Sequence, residues 1–259
     1  MSQPAARPAI RRLEWLLAAL AALVAFVVPL TVVGWLDKPE PEIRIIASPE
    51  RLSTLIVDGD ARILIVNTDD REGLGAMLGR IAQPWETRPA TIIAPASDDI
   101  AIGLWEALQR LEPATVIVAG TPGADPLWAE IDAECARREI SLTYVSDRAS
   151  LATDRLTVTI FGALPDQPAA RGVVVRRGDV NVAMAFDPVP PPVNAQAVIM
   201  NGDPSPLTPD LLVTSDDNPR NPQRHELIVG NLRYVQLILE EDAVRAFGGI
   251  LRPPLLPTP

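Results

Sequence analysis

The sequence predicts an α/β protein: a sheet sandwich with helices on its outer faces, preceded by one N-terminal transmembrane helix. Three observations predict it. Residues 15–36 form an uncharged run. Strand-like and helix-like segments then alternate as far as Ile140, and β-rich segments follow. Finally, 47% of the 259 residues are apolar, enough for a sizeable core.

Charge and counts narrow the function. The formal net charge of -10 argues against a surface that coats nucleic-acid phosphates. The single cysteine, Cys135, excludes an intramolecular disulfide and a cysteine-based zinc cluster. The single histidine, His225, closes any mechanism needing two or three imidazoles.

The N-terminal run starts at Trp15, ends at Leu36 and lies between Glu14 and Asp37. As a helix it is about 33 Å long, which matches a hydrocarbon core of roughly 30 Å. Trp15 and Trp35 stand at its ends, where indoles favour the headgroup layer. Arg7, Arg11 and Arg12 precede it, so the positive-inside rule puts residues 1–14 in the cytoplasm and the rest outside the cell membrane. A cleaved signal peptide is the competing reading. The run is too long for one, and Val33-Gly34-Trp35-Leu36 is a poor cleavage site. Residues 1–36 hold three bases and one acid, which leaves the external portion near -12.

Residues 37–41 read as a proline-stiffened linker, 42–250 as one domain and 251–259 as a tail. Strands are expected at Ile43–Ala47, Thr54–Val57 and Ile63–Val66, the last two joined by a hairpin at Asp58-Gly59-Asp60. Leu74, Met77, Leu78 and Ile81 give a helical stripe. Thr91–Ile93 is a strand, a helix follows from about Ile100 to Leu111, and Val116–Val118 is the next strand. Asp125-Pro126 opens a helix running to about Arg138. Ser141–Tyr144, Leu156–Phe161, Val173–Arg176, Val180–Ala185, Val198–Met200, Leu211–Thr214 and Leu232–Leu239 are expected strands of a mostly antiparallel second half.

This order of segments resembles the metallo-β-lactamase fold, specifically the domain after the last membrane helix of ComEC-type DNA-uptake (competence) proteins. The resemblance runs from about residue 10 to 248 and rests on order and spacing. That family's V-G-Q-G-D-A segment is matched by Pro49-Glu50-Arg51-Leu52-Ser53-Thr54, and its I-D-x-G by Val66-Asn67-Thr68-Asp69. Val173–Asp187 resembles the family's paired strands, and Val198–Asp203 stands at its P-H-H-G segment. The H-x-H-x-D-H motif is matched by Ala94-Pro95-Ala96-Ser97-Asp98-Asp99. In the family these positions hold one or two metal ions that activate water. Only Asp98 is retained, together with Asp187 at the family's ion-bridging aspartate. Zinc requires nitrogen or sulfur ligands, which these positions lack, so no cofactor is expected.

Asp98, Asp99 and Asp187 are thus remnant metal-site positions. The bland reading of Asp98-Asp99 is a cap for the helix that follows. The sharper one is that Asp69, Asp98, Asp99, Asp187 and Asp203 gather a hard divalent ion through oxygen. His225 reads as a surface-loop or hydrogen-bonded histidine, Cys135 as a core residue in line with Ile131 and Trp128, and Arg171, Arg176 and Arg177 as a basic run without aromatics. No G-x-S-x-G, Walker A or dinucleotide fingerprint occurs.

The expectation is a membrane-anchored extracytoplasmic pseudoenzyme, a non-catalytic binding or structural component of a membrane complex with a protein partner. A link to DNA uptake is implied only by the resemblance. One alternative is a Mg²⁺- or Mn²⁺-dependent phosphodiesterase-type hydrolase with a carboxylate-only site; another is an assembly subunit that presents the old active-site cleft to a peptide or protein.

Overall fold

A computed structural model describes residues 39–47, 51–69, 75, 79, 89–163, 166–167, 171–201, 207, 209–215, 225–229, 234–248 and 250–252. The chain divides into two units, Met1–Pro39 and Glu40–Pro259, and all described residues except Pro39 belong to the second. The apolar run 15–36, Asp203 and residues 253–259 lie outside the described residues, whereas Leu251 and Arg252, expected in the tail, belong to a strand that pairs with Glu226 and Leu227. Among those described, no helix is long and apolar enough to cross a membrane.

Two eight-stranded mixed sheets form the domain. The first half supplies β1 (Glu42–Ala47), β2 (Leu52–Asp58), β3 (Ala61–Ile65), β4 (Thr91–Pro95), α1 (Asp98–Arg110), β5 (Thr115–Ala119), α2 (Leu127–Arg137) and β6 (Ser141–Val145). The second supplies β7 (Arg148–Ala152), β8 (Thr157–Phe161), β9 (Gly172–Arg177), β10 (Val180–Ala185), β11 (Ala197–Ile199), β12 (Leu211–Ser215), β13 (His225–Val229), β14 (Tyr234–Leu239), β15 (Val244–Gly248) and β16 (Ile250–Arg252). One sheet runs β15-β14-β1-β2-β3-β4-β5-β6, the other β16-β13-β12-β11-β10-β9-β8-β7.

The expected hairpin is present: Asp58 pairs with Ala61, and Gly59 supplies φ +57°, a value a side-chain-bearing residue rarely adopts. The expected antiparallel second half is only partly so. The β10–β11, β11–β12 and β12–β13 pairs are parallel. Their apolar runs are buried on both faces, and such runs carry no mark of strand direction. Parallel neighbours likewise link β3 through β6. Each sheet therefore has an antiparallel part and a parallel part.

Alternation sorts side chains into layers. Ile43 and Ile45 of β1, Ile63 and Ile65 of β3, Val173 and Val175 of β9 and Val182 and Met184 of β10 meet between the sheets. Leu55, Leu64, Ile92 and Val116 point to the opposite face of the first sheet, where Ile100, Leu104 and Leu108 of α1 and Trp128, Ile131 and Cys135 of α2 cover them. The expected stripe through Trp128, Ile131 and Cys135 is therefore correct, and the Cys135 thiol is pushed up to about 11, chiefly by burial. A thiol so protonated is no nucleophile at neutral pH. Of the helix expected around Leu74–Ile81, Gly75 and Gly79 are described and both are helical. On the outer face of the second sheet, Phe161, Val174, Ala183, Val198 and Met200 cluster with Leu207 and with Val193 and Ala195.

Helix ends are fixed locally. The start of α2 falls one residue later than expected: Pro126 is the N-cap and not the first helical residue, and Asp125, just before it, accepts the Leu127 amide on Oδ1 at 2.8 Å. At the other end of α1, the Arg138 guanidinium donates to the carbonyls of Leu108 and Leu111.

Candidate functional site

The parallel parts of the two sheets bring the carboxyl ends of β3, β4, β10 and β11 to one edge of the sandwich. Ligands in open α/β sheets commonly sit beyond such strand ends. A cleft of about 210 Å³ opens there, lined by Arg51, Leu52, Asn67, Ala185, Phe186, Asp187, Pro188, Met200 and Asn201. These are segments that sequence comparison singled out: 49–54, 66–69, the end of 173–187, and 198–203.

The three remnant positions go separate ways. Asp98 Oδ1 accepts the Trp128 indole N–H at 3.0 Å. Its carboxylate lies so close to Gly123 that a Cβ at that residue would overlap it. Asp98 thus faces α2 and the β5–α2 loop. Asp99 forms an ion pair with Arg51 and keeps 47% of its side chain exposed. Asp187 is held in a two-pronged clamp by Arg171: Nε donates to Oδ2 at 2.6 Å and Nη2 to Oδ1 at 3.1 Å. The cap role expected of Asp98-Asp99 passes to Ser97, whose side chain makes no capping bond. Both acids instead occupy the first turn of α1, where the helix dipole favours negative charge.

Arg171 and Arg51 are the residues that sequence reasoning did not place in the site. The Phe186 amide donates to the Arg171 carbonyl at 2.9 Å, continuing the β9–β10 pairing by one residue. Counting outward from the Gly178-Asp179 turn would have found this neighbour of Asp187. A Cβ at Gly120 would meet Ala96 at 3.2 Å and Arg171 Nη1 at 3.4 Å. The guanidinium therefore stands beside Gly120, which Ala96 also approaches. Arg51 also donates from Nη1 to Asn67 Oδ1 at 3.3 Å, tying the 49–54 and 66–69 segments.

Amides complete the floor. The Asn67 backbone N–H donates to Ser53 Oγ at 3.0 Å. Asn201 Oδ1 accepts from Thr214 Oγ1 at 3.2 Å and from the Ser215 amide at 2.9 Å. His225 begins β13, opposite Leu211 of β12, and is not in an irregular loop. Asp69 is described and exposed, while Gly202 and Asp203 lie outside the described residues.

The donors among the described residues do not gather as metal ligands would. The carboxylates of Asp98, Asp99 and Asp187 are directed to an indole and two guanidiniums. Among the described residues no group of three or more His, Cys, Asp or Glu side chains is arranged to hold an ion. Among the described residues, Arg51 and Asp187 line the cleft beside the apolar surfaces of Leu52, Phe186, Pro188 and Met200, and each is paired with an opposite charge.

No family model and no curated protein matches the chain. Among solved structures, the metallo-beta-lactamase fold protein YhfI from Bacillus subtilis is similar at 12% identity and TM-score 0.40, over 72% of this chain and 78% of that one. At that distance it fixes neither activity nor residue roles here.

Proposed function

We propose that this protein is a membrane-anchored, extracytoplasmic domain of metallo-β-lactamase type that binds a partner and does not hydrolyse a substrate. The observation that carries this reading is the Arg171 clamp on Asp187. A guanidinium supplies the positive charge beside that carboxylate, and it is a hydrogen-bond donor that cannot generate a metal-bound hydroxide. The absence of histidine from Ala94–Asp99 supports the same conclusion. Anchoring rests on the run 15–36 with its basic leading flank, and the partner is read as a protein of the same membrane. The acidic charge and the lack of aromatics in the basic run argue against direct nucleic-acid binding.

Phosphodiesterase and esterase assays with Mg²⁺, Mn²⁺ and Zn²⁺ test the reading. Wild type, Asp98→Ala and Asp187→Ala are expected to show the same background rate under every ion. Turnover that needs an ion and disappears in Asp187→Ala would establish the carboxylate-site hydrolase instead.

A further inference from the structure

The cleft has a donor left over. Asn67 is 5% exposed, and its Oδ1 and backbone N–H are both engaged, by Arg51 and Ser53. No partner among the described residues takes the Nδ2 hydrogens, although this side chain lines the cleft. The Nδ2 group keeps some surface open to the cleft, so an acceptor on a ligand would replace water there. Asp187 offers the complementary group. Arg171 occupies two of its roughly four acceptor directions. Next to these stand the apolar surfaces of Leu52, Phe186, Pro188 and Met200.

The charges select among ligands. Among the described residues Arg51 pairs with Asp99 and Arg171 with Asp187, so these anions and cations balance. A phosphate or carboxylate would face Asp187, and a cation would face the two guanidiniums. A neutral group with one acceptor and one donor suits Asn67 and Asp187, and a peptide amide is such a group. The volume of about 210 Å³ is well under a drug-sized site and suits one side chain with its flanking amides.

Resting on the binding-protein reading above, we propose that the cleft receives a neutral peptide segment of the partner. One side chain of leucine size lodges against Phe186 and Met200. The flanking carbonyl accepts from Asn67 Nδ2, and a flanking N–H donates to Asp187.

The four methionines make this measurable on the full chain in lipid nanodiscs with ¹³C-labelled methionine methyls. N-acetyl-leucine methylamide is expected to shift the Met200 methyl saturably. Met184, buried between the sheets, should not move. N-acetylglycine methylamide should bind at least about tenfold more weakly, because it lacks the side chain that would be buried. Asn67→Asp keeps the shape and the Arg51 contact but removes the donor, and should weaken the leucine probe about tenfold. A Met184 shift in that variant would show a disturbed fold, and the leucine–glycine comparison in wild type then decides alone. An unmoved Met200, equal affinity for the two probes, or unchanged binding in a folded Asn67→Asp variant would overturn the assignment. A chain that ignores the probes and also lacks hydrolase activity loses only the peptide assignment. Ion-dependent turnover would remove the non-catalytic reading itself.

Discussion

Replacing Asp58 with alanine is expected to lower stability by about 3–5 kcal/mol, the usual cost of removing one partner from a buried charge pair. Asp58 ends β2 in the first sheet, and its side chain is fully buried. Among the described residues, the hydrogen bonds to its carboxylate come from the segment joining β7 to β8 in the second sheet. Thr153 Oγ1 donates at 2.6 Å, the Arg155 amide at 2.7 Å and Arg155 Nε at 2.9 Å. Arg155 also reaches Glu40, which pairs in turn with Arg177. A melting-point drop of about 10 °C or more is the corresponding observable. Asp58→Asn, which keeps the shape, should lose less.

The same tie sets an acid limit. Burial works to raise the Asp58 pKa, but the hydrogen bonds from Thr153 and Arg155 and the charge of Arg155 outweigh it and hold it below the ordinary value. A carboxyl whose folded pKa is depressed stabilises the fold above its unfolded value, about 3.9. That contribution is lost as pH falls through the folded pKa. Wild type should therefore lose stability relative to Asp58→Asn below about pH 4. Parallel acid curves would show that the group contributes nothing to the pH dependence.

Gly103→Ala is expected to cost about 3 kcal/mol by overpacking and to disturb the cleft as well. Gly103 lies inside α1, a position where alanine is ordinarily the better helix former. Here a Cβ would lie far inside van der Waals contact with the Thr68 carbonyl oxygen and 3.4 Å from a Val66 methyl. Backbone supplies the nearest obstacle, so it does not yield as a flexible side chain would. The helix must move away from the Val66–Asp69 segment, and the chain of contacts Asp99–Arg51–Asn67 moves with it. Thermal unfolding would report the first effect, and the Met200 methyl shift in the free protein the second. A variant as stable as wild type would contradict the close approach.

Much of the layering was legible because alternation at period two separates the inter-sheet residues from those under the helices. Ile43 against Ile46 and Ile63 against Leu64 are examples. Strand direction was not, because Val198 and Leu212 read alike in parallel and antiparallel pairs. The strands β7 and β15 lie at sheet edges and are largely exposed, so they lack the apolar runs on which a strand expectation rests. Five-residue β13 was hidden for another reason: its run Leu227–Val229 is very short.

The site was half legible. Spacing singled out the segments that line the cleft, and it named Asp187. It could not show that Asp99 meets a partner 48 residues away, or that Asp98 turns toward Trp128. Such pairings are set by how the sheets stack, which no local pattern records. Asp187 with Arg171 is nearer to legible, since strand register sets Arg171 opposite Phe186, one residue from Asp187.

Titration calorimetry of the full-length chain with Zn²⁺ and Mn²⁺, paired with the same titration of Arg171→Ala, addresses the central claim most directly. With Asp187 clamped by Arg171, the wild type is expected to give no stoichiometric heat and no shift in melting temperature with either ion. One equivalent of ion bound by wild type and lost in Asp187→Ala would contradict the account.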